Sequence, residues 1–299
     1  MKSLEKISVV IPVLNGEKCL ADCLTSVLQQ DVEIHECIIV DNNSTDRTKK
    51  IIQEFKKTHS NVVYVFESIR TRGAARNAGI NKATGTIIAM TDVDCVVSKD
   101  WIRRLTYPIF ANGEVAVVGH QYDMSTTYWS RNMQKMIEYS LRLDRGQNGY
   151  CSFFDTKNCA IRTKVIKAIP FDSRFKALED VEIINRLRPT VRFRFLKDVQ
   201  VGHKHASSMK AVWKVAYERS YWFAQMYHKF KGVYDSNGVL IFSVIPPRRF
   251  YWKLAYFNFS AIGEYGSGHL LFFLVFDCAW KIGSAVGYAR PGKILDIHS

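Results

Sequence analysis

No Cys-x-x-Cys pair occurs anywhere in the 299-residue chain, which removes the commonest zinc and dithiol arrangements at once. The seven cysteines are scattered and odd in number. They read as free buried thiols, which implies a reducing cytosol rather than a disulfide framework. Acidic residues are in deficit, 28 against 42 Lys and Arg, so the formal net charge is +14. That surplus favours an anionic partner: nucleic acid, an anionic membrane surface or a phosphorylated ligand. The uninterrupted apolar run Leu270–Phe276 falls short of the roughly 20 residues that span a bilayer. Ile7–Val13 is apolar but lacks a small-residue cleavage site, so no signal peptide is expected. Repeats and low-complexity tracts are missing too, and an apolar content of 47% excludes wholesale disorder.

What is present is an alternation. Ile7-Ser8-Val9-Val10-Ile11-Pro12 and Cys37-Ile38-Ile39-Val40 read as strands buried on both faces. Val62–Phe66 and Thr86–Met90 read as two more. Between them Glu17–Gln29, a segment opened by Ser44 as cap, and Ala74–Lys82 carry helical spacing. Strand and helix in turn predict an α/β fold, a mostly parallel sheet with helices on both faces. Ligands of such sheets bind beyond the carboxyl ends of the strands. Pro12, Asn15, Asp41, Asn42, Asp92 and Asp94 all fall just there. After about residue 206 aromatic and basic residues dominate and Pro246-Pro247-Arg248-Arg249 punctuates the chain. The division expected is therefore a catalytic domain over 1–205 and a helical, aromatic and basic region over 206–299.

Four short motifs carry chemistry. Asp92-Val93-Asp94 places two carboxylates at the end of a buried strand, where a divalent cation such as Mg²⁺ or Mn²⁺ offsets their charge; two solvated loop aspartates are the plainer alternative. Glu179-Asp180 precedes Ile183, Ile184 and Leu187 at helical spacing, so the pair heads a helix. First-turn acids are commonplace, but one of these can also take a proton as general base. His203 and His205 alternate as residues on one strand face do, and either can ligate a metal or simply be solvated. Gly73-Ala74-Ala75-Arg76-Asn77-Ala78-Gly79, after Arg70 and Arg72, suits either a pyrophosphate at a helix start or close helix packing.

In combination these motifs resemble the family 2 glycosyltransferases, inverting enzymes with the GT-A (Rossmann-like) fold. The resemblance covers about residues 5–230. It rests on Val9-Val10-Ile11-Pro12-Val13-Leu14-Asn15-Gly16-Glu17, Val40-Asp41-Asn42-Asn43-Ser44-Thr45-Asp46, Gly73-x-x-Arg76-Asn77-x-Gly79, Asp92-x-Asp94, and Glu179-Asp180 followed by Arg186. It implies that Pro12, Asn15 and Glu17 form the first nucleotide-contacting loop and that Asp41 reads the base. It also implies that Arg76 lies near the nucleotide and that Asp92 meets the ribose or the metal. Asp94 and His203 would ligate the cation, with His205 the competing choice. Asp180 matches the catalytic base, with Glu179 beside it. Two departures bear on this. Asp41-Asn42 stands where members often carry two aspartates, which touches the choice of a UDP-sugar as donor. The Gln-x-x-Arg-Trp motif of polymerising synthases is absent after Glu179-Asp180, which favours a single transfer per encounter.

The resemblance thus implies a metal-dependent transferase that moves a sugar from a nucleotide-sugar, expected to be a UDP-sugar, to a hydroxyl of a saccharide or lipid-linked acceptor in cell-surface glycan or glycolipid synthesis. A sugar nucleotidyltransferase, or a non-catalytic basic protein binding membrane or nucleic acid, are the other classes compatible with the sequence; with the acidic motifs present, no nucleic acid is expected. In His269–Tyr288 the polar residues Asp277, Lys281, Ser284 and Tyr288 form a narrow stripe, as in a helix lying at a membrane interface; a helix packed on the catalytic domain is the plainer alternative. Together with the basic, aromatic stretch before it, this predicts a cytoplasmic protein held peripherally on the inner, anionic face of a membrane.

Overall fold

The computed structural model describes residues 5–143, 148–230, 260, 263 and 266–290. The chain divides into two compact units, Met1–Tyr122 with Asp144–His203, and Asp123–Leu143 with Lys204–Ser299. The second unit thus takes in Asp123–Leu143, a segment that the expected boundary near 206 leaves with the first.

Among the described residues the first unit is built on nine strands: β1 (Ile7–Val13), β2 (Glu36–Asp41), β3 (Val62–Phe66), β4 (Ile87–Met90), β5 (Cys95–Val97), β6 (Ala116–Asp123), β7 (Tyr150–Cys151), β8 (Cys159–Arg162) and β9 (Phe193–His203). They form one sheet in the order β3-β2-β1-β4-β8-β6-β9-β5, with β7 added on β9. The half read from sequence, β3-β2-β1-β4, is parallel, with Val10 opposite both Ile38 and Met90. Beyond β4 the pairing turns antiparallel: β8 lies against β4 and β6, and β5 against β9.

Side chains alternate across the sheet and build two cores. Val9, Ile11 and Val13 of β1 join Cys37 and Ile39 beneath α1 (Leu20–Leu28), α2 (Thr48–Thr58) and α4 (Trp101–Ala111). Val10, Ile38 and Val40 face the other way, toward α3 (Arg72–Lys82), α6 (Thr163–Ala168) and α7 (Glu179–Leu187). Both faces are covered, which is why these strands are apolar without alternation. Gly79 sets the depth of α3: a β-carbon there would lie 2.5 Å from Val10 Cγ1 and 3.0 Å from Val40 Cγ2. Packing is therefore the reason for the second glycine of the Gly73–Gly79 stretch.

Ser44 does not open a helix. Its amide donates to Asp41 Oδ1 and its hydroxyl accepts from the Asn15 amide, so both groups are engaged outside any helix. Helix α2 starts at Thr48, where Asp46 Oδ1 accepts from the Thr48 amide and hydroxyl. Asp46 and Arg47 thus precede the helix instead of lying in its first turn.

The second unit is helical. It contains α5 (Tyr128–Leu143), α8 (Met209–Phe230), a 3-10 turn at Ser267–His269 and α9 (Leu270–Ala289). Met133, Tyr139, Val212, Ala216, Phe272, Phe273, Phe276 and Ala279 make its core. Helices α8 and α9 run in the same direction at very short separation. A β-carbon at Gly287 would lie 2.7 Å from the Tyr221 carbonyl oxygen, and one at Gly283 would overlap Ser220 Oγ and the Tyr217 carbonyl. This Gly-x-x-x-Gly seam reverses the expected polarity of the last helix. Ser284 is fully buried and back-bonded to the Trp280 carbonyl, and Tyr288 packs edge-on against Tyr227. Leu270, Leu271, Leu274 and Ile282 are exposed, and of the polar stripe only Lys281 joins them. Asp277 and Lys281 pair at 2.5 Å, as their spacing of four residues allows. Pro246-Pro247-Arg248-Arg249 lies outside the described residues.

Candidate active site

The carboxyl ends of β1, β2 and β4 meet at one rim, and the loops there hold one another. Pro12 is buried in β1 opposite Val40. Asn15, at φ 55°, accepts from the Thr45 amide at 2.8 Å. The Gly16 amide donates to Thr48 Oγ1, the Glu17 amide to Asp46 Oδ2, and the Arg47 amide to Glu17 Oε2. Asn15 and Glu17 thus brace the loop that follows β2. Asp41 is buried, accepting from the Ser44 amide at 2.9 Å and from the Tyr64 hydroxyl at 3.2 Å. Burial, and then the Asp41 charge, push the Tyr64 phenol up to about 12. Asn42 donates its amide to the carbonyls of Glu67 and Ile69. A carboxylate has no proton for that role, which gives a local reason for asparagine at this position.

Arg76 joins the two acidic motifs. Thr71 caps α3 by accepting from the Ala74 amide, and Arg76 one turn further in points inward with only 1% of its side chain exposed. One guanidinium nitrogen donates to Glu179 Oε1 at 2.5 Å and the other to Asp92 Oδ1 at 2.8 Å. Burial opposes charge on Arg76, but Asp92 and then Glu179 outweigh it and raise its pKa above the ordinary value. Burial opposes charge on Asp92 as well, and Arg76 and then Lys157 hold its carboxyl below the usual range. Glu179 is buried in its ion pair. Asp180, next in the chain, is half-buried, with Oδ1 accepting from the Val181 amide. The pair heads α7 directly after Leu178, whose backbone is left-handed at φ 61°. Such a conformation costs a non-glycine residue about 1–3 kcal/mol and is concentrated at functional sites.

Two residues that the motifs do not mark belong here. Lys157 pairs with Asp155 at 2.8 Å, and both side chains are four-fifths buried. Burial lowers the pKa of Lys157, but Asp155 and then Asp92 raise it overall; burial raises that of Asp155, and Lys157 brings it below the ordinary value. The next residue, Asn158, fixes them: it accepts from Trp101 Nε1 and donates to the carbonyls of His120 and Val199. A lysine flanked by Asp155 and Asn158 just before a short strand was the available sequence signal.

The resemblance implies a divalent cation. Asp94 precedes β5 and His203 ends β9, and the pairing of these strands sets Asp94 Oδ2 3.4 Å from His203 Nε2. Among the described residues no group of three or more His, Cys, Asp and Glu is arranged to hold a metal. An oxygen–nitrogen pair with Asp92 tied to Arg76 fits a cation that completes its shell with substrate phosphate and water. Asp94 and His203 are the residues that would hold it. His205 lies past the end of β9, buried, with Nε2 2.7 Å from Gln134 Oε1 in the second unit. It does not share a strand face with His203, because the strand stops at His203.

A parallel sheet covered on both faces, carboxylates gathered at its carboxyl edge and an antiparallel extension define an α/β transferase of GT-A type. Residues 8–170, more than half of the chain, match Glycosyl transferase family 2, and the chain belongs to that family. It is 34% identical over 121 residues to glycosyltransferase AglE of Haloferax volcanii, covering 40% of each protein. It is 37% identical over 103 residues to poly(ribitol-phosphate) beta-glucosyltransferase of Bacillus spizizenii, covering 33% of this chain and 16% of that one. Against glycosyltransferase GlyA of Streptococcus pneumoniae, 30% identical over 121 residues, the match covers 40% of this chain and 17% of the relative. The aligned part is thus well under half of each of these relatives. In fold the chain is similar to the mannosyltransferase PcManGT of Pyrobaculum calidifontis in complex with GDP-Man and Mn²⁺, with TM-score 0.65, 16% identity and coverage of 96% of this chain and 88% of that one. It is also similar to Staphylococcus aureus TarS 1-349 in complex with UDP, with TM-score 0.53, 15% identity and coverage of 95% and 90%.

Proposed function

We propose that the chain transfers a sugar from a nucleotide-sugar, preferentially a UDP-sugar, to a hydroxyl of a saccharide or lipid-linked acceptor with inversion at the anomeric carbon. The observation that carries this reading is Arg76, which ties Glu179, the neighbour of Asp180 at the start of α7, to Asp92 just after β4, two residues before Asp94, which pairs with His203. Glu179 is engaged by Arg76, and Asp180 beside it is the residue that matches the family's catalytic base. Asp180 takes the acceptor's hydroxyl proton while that oxygen attacks the anomeric carbon from the side opposite the departing nucleoside diphosphate. A bound divalent cation would supply charge stabilisation to that leaving group. Asp41, the last residue of β2, would accept from the base in this reading. The nucleotide complexes of the two structural neighbours support the donor class.

The test is a hydrolysis and transfer screen over UDP- and GDP-sugars with Mn²⁺ and Mg²⁺, with the product anomer read by NMR. Donor cleavage with inverted product supports the reading. Pyrophosphate release from a nucleoside triphosphate and a sugar phosphate, without cleavage of any nucleotide-sugar, overturns it.

A further inference from the structure

The outer face of α9 has no role in the proposed transfer, and it is apolar. Leu270, Leu271, Leu274, Cys278, Ile282 and Ala285 recur at helical spacing and are exposed, with Lys281 the one charge among them. Leu271 and Leu274 are more than half exposed. The segment Ser267–Ala289 is long and apolar enough to cross a bilayer by length and composition, yet 39% of its most apolar stretch is buried. The buried face is the Gly283–Gly287 seam against α8 together with Phe272, Phe273, Phe276 and Ala279. A helix committed on one side to protein contact cannot be surrounded by lipid, but it can lie along a membrane surface with its free side inserted.

Charge names the surface. The seam matches Gly283 to Tyr217 and Gly287 to Tyr221, so the first turns of α8 lie level with the middle of α9. Those turns expose Met209 and Trp213 beside Lys210 and Lys214, the latter 3.9 Å from Glu218 one turn on. Basic side chains around exposed leucine and tryptophan complement anionic headgroups over an acyl layer. We propose that α9, supported by α8, docks the protein on an anionic lipid bilayer, as a cytoplasmic leaflet provides, with Leu270, Leu271, Leu274 and Ile282 entering the acyl boundary.

Cosedimentation of the full chain with phosphatidylcholine vesicles containing about one-third phosphatidylserine tests this without any donor, so its outcome is independent of the proposed transfer. The parent should pellet with these vesicles and much less with pure phosphatidylcholine. Raising salt from about 0.1 M to about 0.5 M should weaken binding. Leu271→Glu with Leu274→Glu should weaken it by at least about tenfold for each leucine, while circular dichroism and donor hydrolysis stay as in the parent. Lys210→Gln with Lys214→Gln, a change that leaves the apolar packing alone, should erase the preference for anionic vesicles. Binding by the leucine variant equal to the parent's, or no binding by the parent, overturns the proposal. So does a concentration-dependent dimer that the leucine variant abolishes, since a second copy of the chain would then cover this face.

Discussion

Replacing Arg76 with methionine keeps the volume of the side chain and removes the charge that two acids share. Glu179, 4% exposed, and Asp92, 22% exposed, then face a low-dielectric interior without their partner. Removing one member of a buried pair costs about 3–5 kcal/mol, a large part of the roughly 5–15 kcal/mol that holds a domain folded. At about 2–4 °C per kcal/mol for a chain region of this size, the melting temperature should fall by about 6–20 °C. Thermal and urea unfolding measure the loss. Adding Glu179→Gln in the same background should return part of it, because the orphaned charge is gone. The pH dependence supplies an independent sign. The folded-state pKa of Asp92 is depressed, so its contribution is complete above about pH 4 and disappears as pH falls through the depressed value. Without Arg76 the variant has less of this stability to lose, and the gap to the parent should narrow below about pH 4. An Arg76→Met protein within about 1 kcal/mol of the parent at pH 7, with unchanged turnover, would refute the account of this residue.

Asp180→Asn should lower turnover by about 10²-fold or more with donor affinity nearly intact. If Glu179→Gln alone damages turnover while Asp180→Asn is mild, the base is misassigned. Chelation should abolish transfer, Asp94→Ala should do the same with the fold preserved, and His203→Ala should weaken Mn²⁺ affinity about 10–100-fold by calorimetry; full activity in EDTA refutes the cation. Gly283→Ala should destabilise the second unit by about 1–3 kcal/mol, since its new methyl meets the Tyr217 backbone carbonyl, which cannot turn aside, as well as Ser220 Oγ, which can, and an unchanged melting curve would show that the seam has slack.

The parallel half of the sheet was legible because its strands are buried on both faces and read as continuous apolar runs; Val62–Phe66 even keeps the boundaries expected of it. The antiparallel half was not, because β8 is four residues long and β5 three, too short to show a period. Ser44 misled for a physical reason: its cap-like chemistry is real, but Asp41 and Asn15 are the groups it satisfies. In the candidate site the acidic motifs were readable as residues, and their joint by Arg76 was not, since burial of an arginine one turn into a helix leaves no mark on spacing. Lys157 escaped because a lysine in a turn next to a four-residue strand matches no motif by itself. On α9 the polar residues do recur at helical spacing, but spacing does not say which side packs. Gly283 and Gly287 were the signal for that, because only glycine admits a neighbouring backbone so closely.

The rim carries an excess of negative charge. Asp92, Asp94, Asp155, Glu179 and Asp180 bring five negative charges, and Arg76 and Lys157 bring two positive ones. By that formal count these groups are negative by three before any donor arrives, inside a chain that is basic by +14. A nucleoside diphosphate adds more of the same sign. The surplus of the whole chain can steer such a ligand inward, and Arg72, exposed at the first position of α3, reaches far enough to act on Asp92. Arg72 carries a single positive charge against the negative excess at the rim. Asp94 and His203 would hold a divalent cation, which would supply two positive charges to the protein's carboxylate and the donor's phosphates. Asp94 and His203 would thus serve donor binding first, and the same charge would then stabilise the departing diphosphate.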